Sequence, residues 1–478
     1  MTRSIALSAT LFLLAACKPA ASIQDDEPQV DPDVDGDTDP DTDEACVPSA
    51  EVCDGIDNDC DGDIDEDPYD AETFFADADG DGFGDAEVTI EACAAPWAFV
   101  DIAGDCDDSN ADVRPDAVDT CDGIDNDCDP ATGLATLVTG AEAIDLTDAF
   151  SAGSADAPSL VVLDQPGELA ICEGTFFARL ELQAPIGVTG VAGSEATILD
   201  AGASGTVVRL AREASGSRLS GLTLQNGLGE ADATCKAGGI CVDRASLAGE
   251  DLVVRLNASP GEGGGMAMLG GRAELSGVLF EDNTAASDGG ALHVRPNGQL
   301  TLTDARLSNN TARRGGALFQ LGGSSRTVME RVDVVGNQAT GNGGGLVIDN
   351  GSLRMVASSL VDNASGSLGG GVSLEGVARS SVFEDVVFEG NVATRGGALF
   401  MRRDATVRDS QISGNEARNA NSAAIQVDDG TLTLEATDFE DEAGVGNAPA
   451  DIRAGADQLE LGLDVGDVCS NLGCTSLQ

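Results

Sequence analysis

Phe280-Glu281-Asp282-Asn283, followed by Gly289-Gly290-Ala291-Leu292, decides the fold, because the phrase returns as Leu307-Ser308-Asn309-Asn310 followed by Gly315-Gly316-Ala317-Leu318. It recurs at Asn337 with Gly343-Gly344, at Asn363 with Gly369-Gly370 and at Asn391 with Gly396-Gly397; degenerate copies sit at Asn226, Asn257 and Asn415. A period of about 27 residues belongs to solenoids. Aligning the copies gives one apolar column, Ile240, Met266, Leu292, Leu318, Leu346, Val372, Leu399 and Ile425. A second, Phe280, Leu307, Val334, Leu360, Phe388, Ile412 and Phe439, precedes the Asn position. Alternation inside short runs such as Leu300-Thr301-Leu302-Thr303 means strands with one face inward. The density of Gly and β-formers excludes a helical solenoid.

One coil cannot bury its apolar face alone, but coils stacked about 4.8 Å apart close a continuous core. The expected architecture is all-β: a right-handed parallel β-helix over residues 134–464, preceded by a small disulfide-rich, Asp-rich metal-binding module. Asn at one position in successive coils can form an amide ladder and tolerates a left-handed turn, while the Gly pairs relax another turn. These Asn and Gly residues therefore read as structural. The segment resembles the right-handed β-helix proteins of the pectin-lyase-like superfamily, and its Phe-x-x-Asn and Gly-Gly-Ala-Leu phrases resemble the repeats of polymorphic outer-membrane proteins. Those families often end in a membrane barrel. Here the expectation is only a tail, residues 465–478, with Cys469 and Cys474.

Composition narrows the function. The 478 residues carry 84 Asp plus Glu against 25 Lys plus Arg, a formal charge of -59. No Lys or Arg occurs from Ala20 to Val113. Such a segment stays expanded unless counter-charge is built in, and it repels nucleic acid. At the amino terminus, Arg3, the apolar run Ile5 to Leu14 and Leu14-Ala15-Ala16-Cys17 form an export signal. It resembles a bacterial lipoprotein signal over residues 1–17, which implies that Cys17 is lipidated and anchors the chain to the outer membrane or cell surface. No later apolar run is long enough to span a bilayer. Residues 18–44, with alternate Asp and with Pro28, Pro32 and Pro40, read as an extended acidic tether.

Residues 45–133 form the Cys and Asp module. Cys53-Asp-Gly-Ile-Asp-Asn-Asp-Cys60 is repeated identically at Cys121 to Cys128. Three stretches place carboxylates at alternate positions: Asp57, Asp59, Asp61 with Asp65; Asp77, Asp79, Asp81 with Asp85; and Asp125, Asp127, Asp129, where Pro130 replaces the Gly. Spacing 1, 3, 5 with Gly at 6 wraps a loop around a hard cation. The terminal Glu of an EF-hand is absent, position 12 being Pro68 or Val88. The Asp-Cys mixture resembles thrombospondin type 3 calcium repeats. The octapeptide, with Asp105-Cys106-Asp107-Asp108, resembles the MopE-type metal-binding motif, a family labelled copper-binding. Soft copper favours thiolate, thioether or imidazole, whereas this module has no His and its Cys are expected to be oxidised. Calcium is the expected ion and copper is disfavoured.

Thirteen Cys minus the lipidated Cys17 leave twelve. Cys235 with Cys241, and Cys469 with Cys474, are plausible local pairs. The module's Cys46, Cys53, Cys60, Cys93, Cys106, Cys121 and Cys128 are odd in number, so Cys172 of the solenoid is expected to bond to one of them. Thiolate metal sites suit an oxidising compartment less well.

The enzyme alternative is cleavage of an extracellular polysaccharide, as the pectin-lyase-like resemblance implies. It fits poorly with 3% aromatic residues and this charge. His293, between inward Leu292 and Val294, is expected on the surface. Arg313, Arg314, Arg395, Arg402, Arg403 and Arg408 read as scattered solvated charges, or as a patch for the acidic module or an anionic glycan. The chain is thus expected to be a non-enzymatic surface lipoprotein, binding divalent cations and displaying a β-helix to a surface protein or glycan.

Overall fold

The computed structural model describes residues 47–117 and most of 121–475, leaving out 118–120, 122–123, 130–132, 141, 232–233, 377–379, 440–446, 448–450, 455–457, 462–467 and 471–472. The signal with Cys17, the tether and Cys46 lie outside the described residues. The chain divides into two compact units, one up to Ala71 and one from Glu72 onward. The division falls inside the module drawn over 45–133. Among the described residues no helix is long and apolar enough to cross a membrane.

The larger unit is dominated by a parallel β-solenoid of about 10 turns. Among the described residues its strands line up in sheets of 17, 14 and 7. A typical coil runs through a long strand, Gly271–Glu281, a two-residue strand, Thr284–Ala285, and a three-residue strand, Leu292–Val294. Within the long strand Ala273, Leu275, Val278 and Phe280 face inward and are buried. The step from Leu275 to Val278 breaks the alternation of two, because Gly277 takes a positive φ of 59°. Asp251, Asp304, Arg331, Ala357 and Asp385 do the same in other coils, so each long strand turns a corner there.

The apolar column is the register itself: Ile240 pairs with Met266, Met266 with Leu292, Leu292 with Leu318, and so on to Ile425. Phe280, Leu307, Val334, Leu360, Phe388 and Ile412 are likewise consecutive register partners. Both columns enter one continuous core.

The amide ladder forms, with two shifts from expectation. The side chain of Asn257 donates to Asn283, Asn283 to Asn310, and the chain continues through Asn337, Asn363, Asn391 and Asn415 to Asn447. Asn226 is not part of it; its amide turns to Asp200. The left-handed backbone belongs to the residue before the ladder Asn, namely Leu256, Asp282, Asn309, Gly336, Asp362, Gly390 and Gly414. The ladder Asn is thus free to aim its amide along the stack. At the Gly pairs the first residue supplies the positive φ, 70° at Gly289. The second is needed for close approach: a Cβ on Gly290 would lie 2.1 Å from the Gly316 carbonyl oxygen.

His293 corrects the surface reading, being only 2% exposed. Its strand faces outward at that residue, yet the whole outward row, Cys241, Ala267, His293, Phe319, Val347, Ser373, Phe400 and Gln426, is buried. Cys241 and Ala267 pack with Cys235, Ala237 and Leu269, and charged stems from the turns and strand ends cover His293 and Phe319. Glu262 bonds Arg295 and Asp288 holds Arg314 through two bonds, while Arg314 lies 4.3 Å from the Phe319 ring, which stacks on His293. Burial is the main cause that lowers the His293 pKa to about 4; Glu262 and Asp288 oppose it, and Arg295 and Arg314 reinforce it.

A histidine whose folded pKa lies below its unfolded value stabilises the fold above about pH 6.5 and loses that contribution as pH falls toward 4. The drop is on the order of 3 kcal/mol. In urea unfolding at pH 7 and pH 4, His293→Gln is expected to lose less stability on acidification than the wild type; equal losses would contradict this burial.

The arginines depart from the sequence reading in part. Arg313 and Arg314 pair with Asp288, Arg395 and Arg402 with Asp428, and Arg408 with Glu384. Arg403 is buried and donates to the Gly351 carbonyl and the Ser381 hydroxyl. They form no free anion patch, since each neutralises or hydrogen-bonds the solenoid itself, but Arg313 and Arg402 remain solvated, with side chains 58% and 50% exposed.

An antiparallel strand, Ala135–Thr139, pairs with Gly167–Ile171 at the start of the solenoid, and a short helix, Thr147–Ser151, adds Phe150 against Phe176. This covers a sheet end that would otherwise present unpaired backbone. Cys121 is bonded to Cys172 beside this first coil, Cys106 to Cys128 and Cys235 to Cys241. Cys53, Cys60 and Cys93 are disulfide-bonded as well. At the carboxyl end the backbone register sets Cys469 opposite Cys474.

Candidate metal centre

In the smaller unit, Asp57 to Gly62 is shaped by backbone N–H groups that donate to aspartate side chains. Asp57 accepts from Cys60 and Gly62, Asp59 from Asp61, and Asp61 from Asp63. Short Asp side chains favour such local turns, and Gly62 takes a positive φ of 106°. Glu51 is 5% exposed and accepts from the backbone of Asp59 and Asp65. Carboxylate oxygens of Glu51, Asp57 and Asp59 lie within 4.8 Å of one another, as do those of Asp59, Asp61 and Glu66. Asp65 is turned elsewhere: it accepts from Asp54 and Gly55 and so holds the start of the octapeptide.

The larger unit begins with four strands, β1 (Glu72–Ala76), β2 (Gly84–Ala92), β3 (Phe99–Val100) and β4 (Ala103–Asp105), in the order β3-β1-β2-β4. The β1–β2 connection is the second Asp loop, and it repeats the bonds of the first. Asp77 accepts from Gly80 and Gly82, Asp79 from Asp81, and Asp81 from Phe83. Gly82 takes a positive φ of 98°. Oxygens of Asp77, Asp79 and Asp81 lie within 4.8 Å of one another, and those of Asp79, Asp105 and Asp108 form a further such group. Asp85 lies in β2, where it accepts from Glu87.

In the third stretch Asp127 accepts from Asp129, as Asp59 does from Asp61. Among the described residues its carboxylates, with those of Asp65 and Asp85, enter no such group of three. Pro130, where a glycine would turn the loop, falls outside the described residues.

These acids are held in place by little hydrophobic packing. Among the described residues of 47–117, Phe74 and Val113 are the buried large apolar side chains, while Ile56, Ile64, Tyr69, Val88, Trp97 and Ile102 are exposed. Trp97 is 95% exposed. So small a core needs cross-links or ions.

Electrostatics points the same way. Burial raises the Asp79 carboxyl above its usual range, and Asp81, Asp108 and Asp77 add to this against one backbone hydrogen bond. Burial likewise raises Asp105, whose backbone bond from Asp107 opposes the repulsion of Asp81, Asp79 and Asp108. Crowded carboxylates that resist ionisation gain most from a bound cation. The donor set is all oxygen, without imidazole, and suits a hard ion.

Sequence reasoning missed Glu51, Glu66, Asp105 and Asp108 as members of these groups. Glu51 and Glu66 lie outside the 1, 3, 5 spacing, and Asp105 and Asp108 reach their partners only through the strand order.

The family model Cu-binding MopE, described as "Putative metal-binding motif", matches residues 33–66 and 105–132. The Chlamydia polymorphic membrane protein repeat matches residues 277–295, which hold the Phe280 to Leu292 phrase. No curated protein and no solved structure gave a significant match.

Proposed function

We propose that this chain is an exported, lipid-anchored surface protein whose acidic module binds divalent cations, calcium foremost, and whose β-solenoid is displayed for structural or adhesive contact with a surface protein or glycan. The observation that carries the cation reading is the shared bonding of the Asp57 and Asp77 loops. In both, backbone N–H groups fix the carboxylates at positions 1, 3 and 5, the preorganisation an oxygen-ligated ion requires. Asp57 and Asp59 with Glu51, and Asp61 and Glu66 through the shared Asp59, would hold cation in the first loop, and Asp77, Asp79 and Asp81 in the second. Each ion would supply positive charge that offsets carboxylate repulsion.

Export is supported by the disulfides and by the amino-terminal signal pattern, and surface display by the match to the polymorphic membrane protein repeat. The label of the matched motif names copper, but the module's cysteines engaged in disulfides are poor copper ligands.

Calorimetric titration of the metal-stripped full chain tests the ion. Calcium is expected to bind with measurable heat and to resist displacement by equimolar copper(II). Copper binding alongside a silent calcium titration would replace the calcium reading.

A further inference from the structure

The Asp77 loop lies between the two stretches matched by the metal-binding family model, whereas Asp105 and Asp108 open the second of them. The fold brings these parts together. β1 leads into the loop, β4 ends at Asp105, and both strands pair with β2 between them. Asp105 is 7% exposed. One of its oxygens accepts the Asp107 N–H, and the other, Oδ2, is buried without a hydrogen-bond partner. The Oδ2 atoms of Asp79 and Asp81 share this condition. Asp108 is held by the Ala78 N–H of the loop. Arg114 is the first cationic residue after Lys18, and it is bonded to Asp116.

A buried carboxylate oxygen without a donor is costly, and several together more so, unless a positive charge sits among them. We propose that Asp105 and Asp108 are ligands of the cation held by Asp77, Asp79 and Asp81, making one composite site for a calcium-sized, oxygen-preferring ion. This inference rests on the cation-binding reading above and deepens it by assigning ligands. Asp79 is the shared member, since its carboxylate belongs to both groups of three. The ion joins the β1–β2 loop to the end of β4. Because the next residue, Cys106, is bonded to Cys128, ion and disulfide fasten adjacent points of the chain.

The test is calcium titration of the metal-stripped full chain as wild type, Asp105→Asn, Asp79→Asn and Asp57→Asn. Asp105→Asn and Asp79→Asn are expected to weaken the same binding step by at least about tenfold, with Asp57→Asn leaving that step intact. Metal-free melting provides the folding control. Asp105→Asn removes a repelled charge, so its metal-free midpoint is expected to equal or exceed that of the wild type. Its calcium-induced rise should shrink. A wild-type isotherm for Asp105→Asn, with the step lost in Asp79→Asn, would overturn the composite site and leave cation binding standing. A wild type that binds no calcium would overturn both.

Discussion

Asn337→Leu is expected to destabilise the solenoid by on the order of 3 to 5 kcal/mol, while Gln299→Ala on an exposed strand position should change it by less than about 0.5 kcal/mol. The difference follows from burial and from the number of groups left without partners. Asn337 is 0% exposed. Its amide donates to Leu307, Val335 and Asn363, and its oxygen accepts both the backbone and side-chain N–H of Asn310. Leucine matches the volume and none of the bonds, so the Asn310 backbone N–H is stranded in a dry core. Because each coil contacts only its neighbours, the loss should appear first as faster hydrogen exchange in the flanking coils. Urea unfolding with exchange mass spectrometry reads both. A midpoint equal to that of the wild type would mean that the ladder is incidental to stability.

Withdrawal of divalent ions is the second large effect. With calcium at 100 to 1,000 times its dissociation constant, the ion-bound state gains about 2.7 to 4.1 kcal/mol over the metal-free one. That is a substantial share of the stability of an ordinary domain. For residues 47–117 it weighs more heavily, since burial of Phe74 and Val113 offers little to replace it. Chelation should therefore lower the melting transition of the acidic part by several degrees and leave the solenoid transition in place. The solenoid's core and Asn ladder contain no such cluster of carboxylates among the described residues.

The solenoid was legible because its signal repeats: an apolar residue that returns in every coil at one register position can be read without knowing the coil's path. The burial of His293 was not legible, because it comes from ion-paired stems on the turns and strand ends, and those stems look like surface charge in a linear reading. The position of the left-handed residue was misread by one. Leu256 and Asp282 adopt it, and neither stands out from its residue type, whereas the following Asn does.

In the acidic module the 1, 3, 5 spacing revealed Asp57, Asp59, Asp61, Asp77, Asp79 and Asp81, whose geometry is set within a few residues. Glu51 lies ahead of the loop and outside that spacing, and Asp105 reaches Asp79 only through the strand order. Asp65 illustrates the converse: it sits at a ligand spacing, but the fold uses its oxygen to hold the turn at Asp54 and Gly55.

The most direct measurement is limited proteolysis of the full chain with calcium and with chelator. It should use a glutamyl endopeptidase, because residues 20–113 contain no Lys or Arg for trypsin. Calcium should protect the bonds after Glu66, Glu72, Glu87 and Glu91, and chelation should expose them while the solenoid resists cleavage in both conditions. The same cleavage pattern with and without calcium would contradict a cation-organised module.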